Sequence, residues 1–182
     1  MDREIQAPID KETAKELRAG DMVYITGTIY TARDAAHKRM DEALDKNEPL
    51  PLDIDGNIIY YMGPSPAREG RPIGSAGPTT ASRMDKYAPR LLDLGLTGMI
   101  GKGKRSKEVI DAMIRNGAVY FAAIGSAGAL LSKAITSSEV IAYDDLGTEA
   151  IRKLTVERFP VVVVIDSDGN NLYETATDSY RR

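Results

Sequence analysis

The stretch of sequence that decides the fold is GMIGKGKRSKEVIDAMIRNGAVYFAAI, residues 98–124. Its apolar ends predict strands over residues 98–100 and 118–124, and the segment between them predicts a helix over residues 106–116. Ser106 is a residue type that caps the start of a helix. A strand, a helix and a second strand in this order indicate an α/β layered fold.

The same alternation continues on both sides of this unit. Further strands are predicted over residues 22–30, 58–62, 135–143 and 161–165, and further helices over residues 11–18, 33–44, 81–94, 128–133 and 146–154. The length predicts a single domain over residues 1–182. Residues 1–20 are expected to form an N-terminal extension that contains the first of these helices.

The pattern Asp-X-Asp-Gly-Asn occurs twice, at residues 53–57 and 166–170. An Asp-Gly pair between apolar runs is typical of a β-hairpin, so the sheets are predicted to be mixed rather than purely parallel. A calcium loop of the EF-hand type would also need a third acidic ligand and a correctly spaced glutamate, which both segments lack. We therefore interpret both segments as turns.

Composition excludes several classes of function. The 182 residues include 24 Lys and Arg, 27 Asp and Glu, one His and no Cys. Without cysteine the chain has no disulfide, no thiolate nucleophile and no cysteine-ligated zinc or iron–sulfur centre of its own, and one His excludes a His-rich metal site. A net charge of −3 argues against a generally basic nucleic-acid binder. The chemistry must use hydroxyls, carboxylates, Arg, Lys and the backbone, or groups from a partner.

The hydropathy pattern predicts neither a membrane span nor a targeting segment. No apolar run, including that over residues 161–165, approaches the about 20 apolar residues that a membrane span needs. The first 21 residues are charged and contain no apolar run, unlike a signal or transit peptide. We therefore expect a cytoplasmic location and no membrane partner.

The segment GPTTASRMD, residues 77–85, precedes and begins a predicted helix. Thr79 or Thr80 could cap that helix, whose first N–H groups would then favour a carboxylate or phosphate. Arg83 lies one turn further and could bind a carboxylate through two parallel hydrogen bonds. The alternative is a capped surface helix with an exposed arginine.

The segment GKGKRS, residues 101–106, joins a predicted strand to a predicted helix. It resembles a phosphate loop, but Arg105 stands where a P-loop needs Ser or Thr for Mg²⁺, so that interpretation fails. Lys102, between two glycines, remains a candidate anion ligand. The alternative is a basic, solvated turn.

The segment TARDAAH, residues 31–37, lies at a third strand-to-helix junction and carries Arg33 and His37 four residues apart. A strand end is where α/β folds gather ligands, although a lone helical His is more often a packing residue. Together the three segments supply two arginines, a lysine and a threonine hydroxyl, which suit a small polycarboxylate. They lack a metal, a general base and an electron sink, so they describe half of an active site.

Taken together, the runs YYMGP from residue 60, GSAGPTTASRMD ending at residue 85, GKGKRS and FPVVV from residue 159 resemble a known family. They are similar to the β subunit, or C-terminal domain, of class I iron–sulfur hydro-lyases, the fumarate hydratase and tartrate dehydratase group. The resemblance extends from about residue 8 to residue 174 and is most specific in GPTT-X-X-RM. Lys104 is a departure, because many members have Asn there.

The resemblance implies a swivelling β/β/α domain with mixed sheets. It also implies a separate α subunit, in an αβ or α2β2 heteromer, that holds a [4Fe-4S] cluster on three cysteines with one iron open as a Lewis acid. Arg33, Thr79, Arg83 and Lys102 would bind a small dicarboxylate, with His37 as a further candidate. Thr79, Arg83 and Lys102 would act in catalysis, Thr79 either as the base or as an orienting donor.

The resemblance leaves the substrate open between fumarate or malate, tartrate and mesaconate. Fumarate hydration to malate is the leading expectation. A function of another class would be a non-catalytic anion-binding module that has kept the fold. A nucleic-acid role for residues 102–107 is the weakest alternative, because the basic patch is short and contains no aromatic residue.

Overall fold

The computed structural model describes residues 2–63, 74, 77–124 and 131–174. Across these residues seven strands are present: β1 (Asp2–Ala7), β2 (Met22–Thr31), β3 (Ile58–Tyr60), β4 (Gly98–Gly101), β5 (Val119–Ala123), β6 (Ile135–Ala142) and β7 (Ile151–Ile165). The α-helices are α1 (Lys11–Glu16), α2 (Asp34–Asp45), α3 (Ala88–Asp93) and α4 (Lys107–Asn116), and 3-10 helices span Ala81–Met84 and Asp144–Glu149. The predicted βαβ unit is confirmed as β4, α4 and β5.

The strands form one mixed sheet in the order β1-β2-β3-β4-β5-β7-β6. Strands β1 to β5 pair in parallel, whereas β7 runs antiparallel to β2, β5 and β6. Because β7 pairs with both β5 and β2, the five strands β2, β3, β4, β5 and β7 close into a barrel. The predicted α/β class with mixed β-structure is therefore confirmed.

Alternation along the strands separates two apolar cores. On β3, Ile58 and Tyr60 belong to a cluster built from all seven strands, while Ile59 and Tyr61 belong to a cluster shared with α2, α3 and α4. Successive side chains of a strand point to opposite faces, so the first cluster fills the barrel and the second fixes the helices outside it. No helix within the described ranges is long and apolar enough to cross a membrane.

The predicted helix over residues 146–154 is wrong. A 3-10 helix ends at Glu149, and residues 151–165 form one continuous strand. Ile151 and Leu154 have a spacing compatible with a helix face, but here β7 is hydrogen-bonded to β2 on one side and β6 on the other. The β2 partners are more than a hundred positions away in the chain, and a local pattern cannot register them.

Neither Asp-Gly segment forms the predicted hairpin. Residues 55–56 make a turn, but β3 then pairs in parallel with β2 and β4, so no incoming strand precedes the turn. Residues 166–170 make a turn closed only by an isolated bridge between Ile165 and Asn171. Oxygens of the Asp166 carboxylate accept backbone N–H groups of Ala19 and Asp168, among others, which is a turn-forming role.

Three further predictions need correction or lie outside the described residues. The first 20 residues contain β1 as well as α1; β1 pairs in parallel with β2 and was not predicted. The helix predicted over residues 81–94 is divided into the 3-10 helix Ala81–Met84 and α3, which has a proline in its first turn. Of the helix predicted over residues 128–133, residues 128–130 lie outside the described part.

Candidate functional site

The candidate site lies at one edge of the barrel, where three neighbouring parallel strands end. Strands β2, β3 and β4 are adjacent, and their carboxyl ends lead into Arg33, Gly63 and Lys102 respectively. This edge is the usual ligand-binding edge in α/β folds. The topology therefore brings together the TARDAAH and GKGKRS segments, which are far apart in the chain.

The GPTT segment enters between the ends of β3 and β4. The backbone N–H of Tyr61 still donates to the carbonyl of Ile100 at the end of β4, at 2.8 Å. The carbonyl of Tyr61 instead accepts the N–H of Thr79, at 2.6 Å. On its other side the segment exchanges backbone hydrogen bonds with β4: Lys102 N–H donates to the Thr79 carbonyl at 3.4 Å. Thr79 and Lys102 are therefore held side by side by the sheet.

Arg33 precedes α2 and packs against Gly63. A Cβ atom added at Gly63 would lie 2.8 Å from both Cδ and Nη1 of Arg33 and 2.9 Å from the Thr148 carbonyl oxygen. Glycine at position 63 therefore leaves the space that the Arg33 guanidinium occupies at the end of β3. The Nε atom of Arg33 is buried and has no hydrogen-bond partner among the described residues.

Asp34, the first residue of α2, joins the TARDAAH segment to the GPTTASRMD segment. Its Oδ2 atom forms an ion pair with Nη2 of Arg83, whose side chain is 51% exposed. Its Oδ1 atom is buried and is not hydrogen-bonded to any residue in the described ranges. The sequence placed Asp34 beside Arg33 at a strand end that suits a site, but it did not predict this ion pair, because Arg83 lies 49 positions away.

The predicted helix cap at Thr79 or Thr80 does not form. Thr80 occupies the N-cap position of the 3-10 helix Ala81–Met84 but makes no side-chain capping hydrogen bond. The helix has only four residues, so the predicted anion site at a helix N-terminus loses its basis. Thr79 reaches the site instead as part of the sheet, with a half-buried side chain.

His37 is hydrogen-bonded to the backbone of Arg33. Its Nδ1–H donates to the Arg33 carbonyl oxygen at 2.8 Å, and its ring lies 5.4 Å from the Tyr61 ring and 6.0 Å from the Tyr87 ring. Burial lowers the pKa of His37 to about 4, so the imidazole is neutral near pH 7. These surroundings are those of a packed, hydrogen-bonded histidine; substrate contact by His37 stays a prediction.

Arg105 and Asp85 are further residues of this region that sequence reasoning missed. The side chain of Arg105 is completely buried, and its Nε donates to Asp85 Oδ1 at 2.8 Å. Its guanidinium lies over the Tyr61 ring at 5.2 Å and the Tyr120 ring at 4.7 Å. The other Asp85 oxygen accepts the backbone N–H of Ser106 at 2.7 Å. This pair ties residues 77–85 to residues 101–106 and thereby fixes Thr79 beside Lys102.

The assembled residues form a cationic site without a metal centre of their own. Arg33, Arg83 and Lys102 surround the edge, and Lys102 and Arg83 are exposed to solvent. Guanidinium groups bind carboxylates through paired, charge-assisted hydrogen bonds, so the arrangement suits a small anion with more than one carboxylate. In the part of the chain that the structure describes, no group of three His, Cys, Asp or Glu residues could hold a metal ion.

The fold and site thus define a chain of the α/β class in which basic and hydroxyl-bearing residues gather at the carboxyl ends of parallel strands. Comparison with known sequences specifies the class further. The family model described as the fumarase C-terminus matches residues 2–176, and the chain belongs to that family.

Several characterised relatives share substantial identity with the chain. Fumarate hydratase 2 of Leishmania major is 40% identical over 174 residues, which are 93% of this chain and 31% of that protein. The anaerobic class I fumarate hydratase of Escherichia coli is 42% identical over 152 residues, 82% of this chain and 28% of that protein. This chain spans about a third of the length of these fumarate hydratases.

A different relative matches over nearly its whole length. A Methanocaldococcus jannaschii protein assigned as the beta subunit of L(+)-tartrate dehydratase is 38% identical over 172 residues, 91% of this chain and 88% of that protein. The family therefore includes both long chains with this domain at one end and separate subunits of about this size.

Proposed function

We propose that this chain is the β subunit of a hydro-lyase that reversibly hydrates fumarate to malate. The observation that carries the proposal is the convergence of Arg33, Thr79, Arg83 and Lys102 at one edge of the barrel. The fumarate hydratases of Leishmania major and Escherichia coli support the activity by similarity. Tartrate dehydration is the second candidate, since the Methanocaldococcus jannaschii subunit matches over 88% of its own length.

The cations of the site would bind and orient the diacid. Arg33 lies against Gly63 at the end of β3, and Arg83 pairs with Asp34 at the start of α2, so two separate guanidinium groups are available for the two substrate carboxylates. When a proton leaves the carbon beside a carboxylate, negative charge accumulates on that carboxylate's oxygens. A guanidinium already placed there stabilises this charge, and Lys102 adds a further donor.

Thr79 carries a hydroxyl group, and its backbone is held by the sheet beside Lys102. Its N–H and carbonyl are both hydrogen-bonded in the sheet, to Tyr61 and Lys102. An ordinary threonine hydroxyl is too weakly acidic to act as a base unaided, so proton removal by Thr79 would require help from Lys102 or Arg83. Orientation of the substrate requires no such help and is the role we assign first.

The iron–sulfur cluster proposed for this enzyme has no ligands here. The chain contains no cysteine, and the described residues offer no alternative set of three metal ligands. The residues of this chain therefore do not fit the cluster, and we propose that a partner α subunit carries it in an αβ or α2β2 assembly. The exposure of Arg83 and Lys102 supports such a partner, because water would otherwise reach the bound substrate.

Co-expression with the cysteine-containing subunit tests the proposal. The complex, with its cluster reconstituted without oxygen, should hydrate fumarate; tartrate and mesaconate reactions measured alongside rank the substrates. Copurification without turnover of any diacid, combined with dicarboxylate binding, would favour the non-catalytic anion-binding module. Failure to form a complex would contradict the subunit proposal.

A further inference from the structure

We propose that Glu149 is a positioning residue that caps helix α2 in place of Arg33 and thereby leaves the Arg33 side chain free for the site. The inference rests on the proposed function, in which Arg33 binds a substrate carboxylate, and it extends the site to a residue outside the four that converge at the barrel edge. Its basis is a hydrogen bond between residues 114 positions apart, from the Ala35 N–H to Oε1 of Glu149.

Arg33 occupies the position before α2 that a capping residue usually fills. Its backbone is extended, but its side chain makes no capping hydrogen bond. A guanidinium group has no acceptor atom, so arginine at this position cannot cap the helix. A capping Ser, Thr, Asp or Asn would turn its side chain toward the helix backbone. One side chain therefore cannot both cap α2 and bind a ligand at the end of β2.

Glu149 supplies the acceptor that Arg33 lacks. Ala35 is the second residue of α2, and its N–H is one of the donors that a capping side chain ordinarily binds. Oε1 of Glu149 accepts this N–H at 3.0 Å. The carboxylate also lies at the positive end of the helix dipole, where negative charge is favourable. The start of α2 is thus capped by a residue from a different element.

The segment that carries Glu149 also packs beside the Arg33 side chain. Residues 143–150 connect β6 to β7. The position that a Cβ atom at Gly63 would take is bordered by the Arg33 side chain and by the carbonyl oxygen of Thr148, the residue before Glu149. The connection therefore meets Arg33 at two points, through the backbone of its helix and beside its side chain. A change at Glu149 should alter the orientation of Arg33.

A second contact joins the same connection to the same helix without involving Arg33. The Asp145 carboxylate accepts two hydrogen bonds from the Arg39 guanidinium, at 2.8 and 2.9 Å. The Asp145 side chain is 63% exposed, and Arg39 lies one helical turn beyond Ala35. Exposed ion pairs contribute little to stability. Asp145→Asn is therefore a matched control for substitutions of Glu149.

The experiment compares two substitutions of similar length at position 149 in the complete complex. Glu149→Gln keeps an oxygen acceptor for the Ala35 N–H, whereas Glu149→Met removes the oxygens and retains the bulk of the side chain. The measurements are kcat and KM for fumarate and, by calorimetry, the dissociation constant of succinate, which has no double bond to hydrate. Each is repeated with Arg33→Ala, which completes a double-mutant cycle.

A capping role predicts a loss that occurs with Glu149→Met, is avoided with Glu149→Gln and depends on Arg33. Glu149→Met should raise the succinate dissociation constant about fivefold and lower kcat/KM about tenfold, because Arg33 is less firmly oriented. Glu149→Gln and Asp145→Asn should stay within about twofold of the wild type. In the Arg33→Ala background, Glu149→Met should change the succinate constant by less than about twofold.

Several results would overturn the inference and leave the proposed function in place. In one, the wild-type complex hydrates fumarate, but Glu149→Met behaves like Asp145→Asn or its loss is the same with and without Arg33. In another, Glu149→Gln loses as much as Glu149→Met, which would mean that the carboxylate acts through its charge or a proton. A Glu149→Met chain that does not fold or assemble would show a purely structural role. If the wild-type complex neither turns over fumarate nor binds succinate, both proposals are overturned.

Discussion

Two arginines near the candidate site both pair with an aspartate, but in opposite surroundings. Arg105 is completely buried between two tyrosine rings, and its nitrogens are bound to Asp85, Tyr61 and the sulfur of Met99. Arg83 is half exposed, and the described residues give it one ionic partner, Asp34. Every guanidinium nitrogen of Arg105 is hydrogen-bonded within its own chain, and Arg105 therefore has a structural role. The guanidinium of Arg83 has N–H donors that no described residue uses and that can bind a ligand.

The largest expected effect is the loss of stability when Arg105, the buried arginine, is replaced. Arg105→Met should lower the free energy of unfolding by about 3–5 kcal/mol, since the Asp85 carboxylate is left buried without its cation. Chemical denaturation of the purified chain measures this. Arg83→Ala is the control for the exposed pair and should cost at most about 1 kcal/mol. Equal losses in the two variants would contradict the comparison.

For turnover, in contrast to stability, the larger effect is expected for the Arg83 variant. Arg83→Ala should reduce kcat of the complex about 10²–10³-fold, because a charge-stabilising donor is removed where negative charge develops. Copurification with the α subunit should be unaffected, since Arg83 makes no buried contact that holds the fold. Disrupted assembly would instead make Arg83 an interface residue.

A third prediction concerns His37, whose neutral ring donates a hydrogen bond to the Arg33 carbonyl oxygen. On folding, burial lowers the pKa of His37 from 6.5 to about 4. Its contribution to stability is therefore present above pH 6.5 and is lost as the pH falls toward 4, a change of about 3 kcal/mol. Denaturation of wild type and His37→Gln between pH 7.5 and 4 should show a shallower pH dependence in the variant; parallel curves would refute the shift.

Thr79 should show a smaller effect, confined to turnover. Thr79→Val removes the hydroxyl but keeps the shape and backbone hydrogen bonds, so kcat should fall about 10²-fold without loss of stability. Thr79→Ser is the control and should retain most activity. Near wild-type turnover of the valine variant would exclude both roles considered for this hydroxyl.

The smallest effect is expected at Lys104, an exposed residue of the same loop as Arg105. Lys104→Asn should change stability by less than about 0.5 kcal/mol. Measured kcat/KM for fumarate and tartrate should change by the same factor, because within the described part of the chain no hydrogen bond or ion pair joins Lys104 to Arg33, Arg83 or Lys102. A selective change for one diacid would place Lys104 among the residues that determine specificity.

Local patterns predicted the βαβ unit well, because its signals are contained within it. The Ser106 side chain accepts the N–H of Val109, and Gly117 ends α4 in the left-handed conformation, as helix-capping chemistry requires. They failed for residues 146–154, where β7 is fixed by pairing with β2, which is distant in the chain, and with the preceding strand β6. Where a strand such as β7 begins because of hydrogen bonds to a distant strand, the local sequence does not indicate that boundary.

The same distinction applies to the candidate site. Arg33, Thr79, Arg83 and Lys102 could be selected as candidates because each lies at or near the junction of a loop with a predicted element. Asp34 lies beside Arg33 at the same junction, but its ion pair with Arg83, 49 positions away, could not be predicted from a local pattern. Arg105 was interpreted as part of a basic turn, because the GKGKRS sequence does not indicate that Tyr61 and Tyr120 pack against its guanidinium.

The insertion of the GPTT segment between β3 and β4 has a consequence for how the family can vary. The N–H of Thr79 donates to the carbonyl of Tyr61, and the N–H of Lys102 donates to the carbonyl of Thr79. These backbone hydrogen bonds require no particular side chain at any of the three positions. A change in chain length between Tyr61 and Thr79 would leave both bonds available, so the position of Thr79 beside Lys102 does not depend on that length.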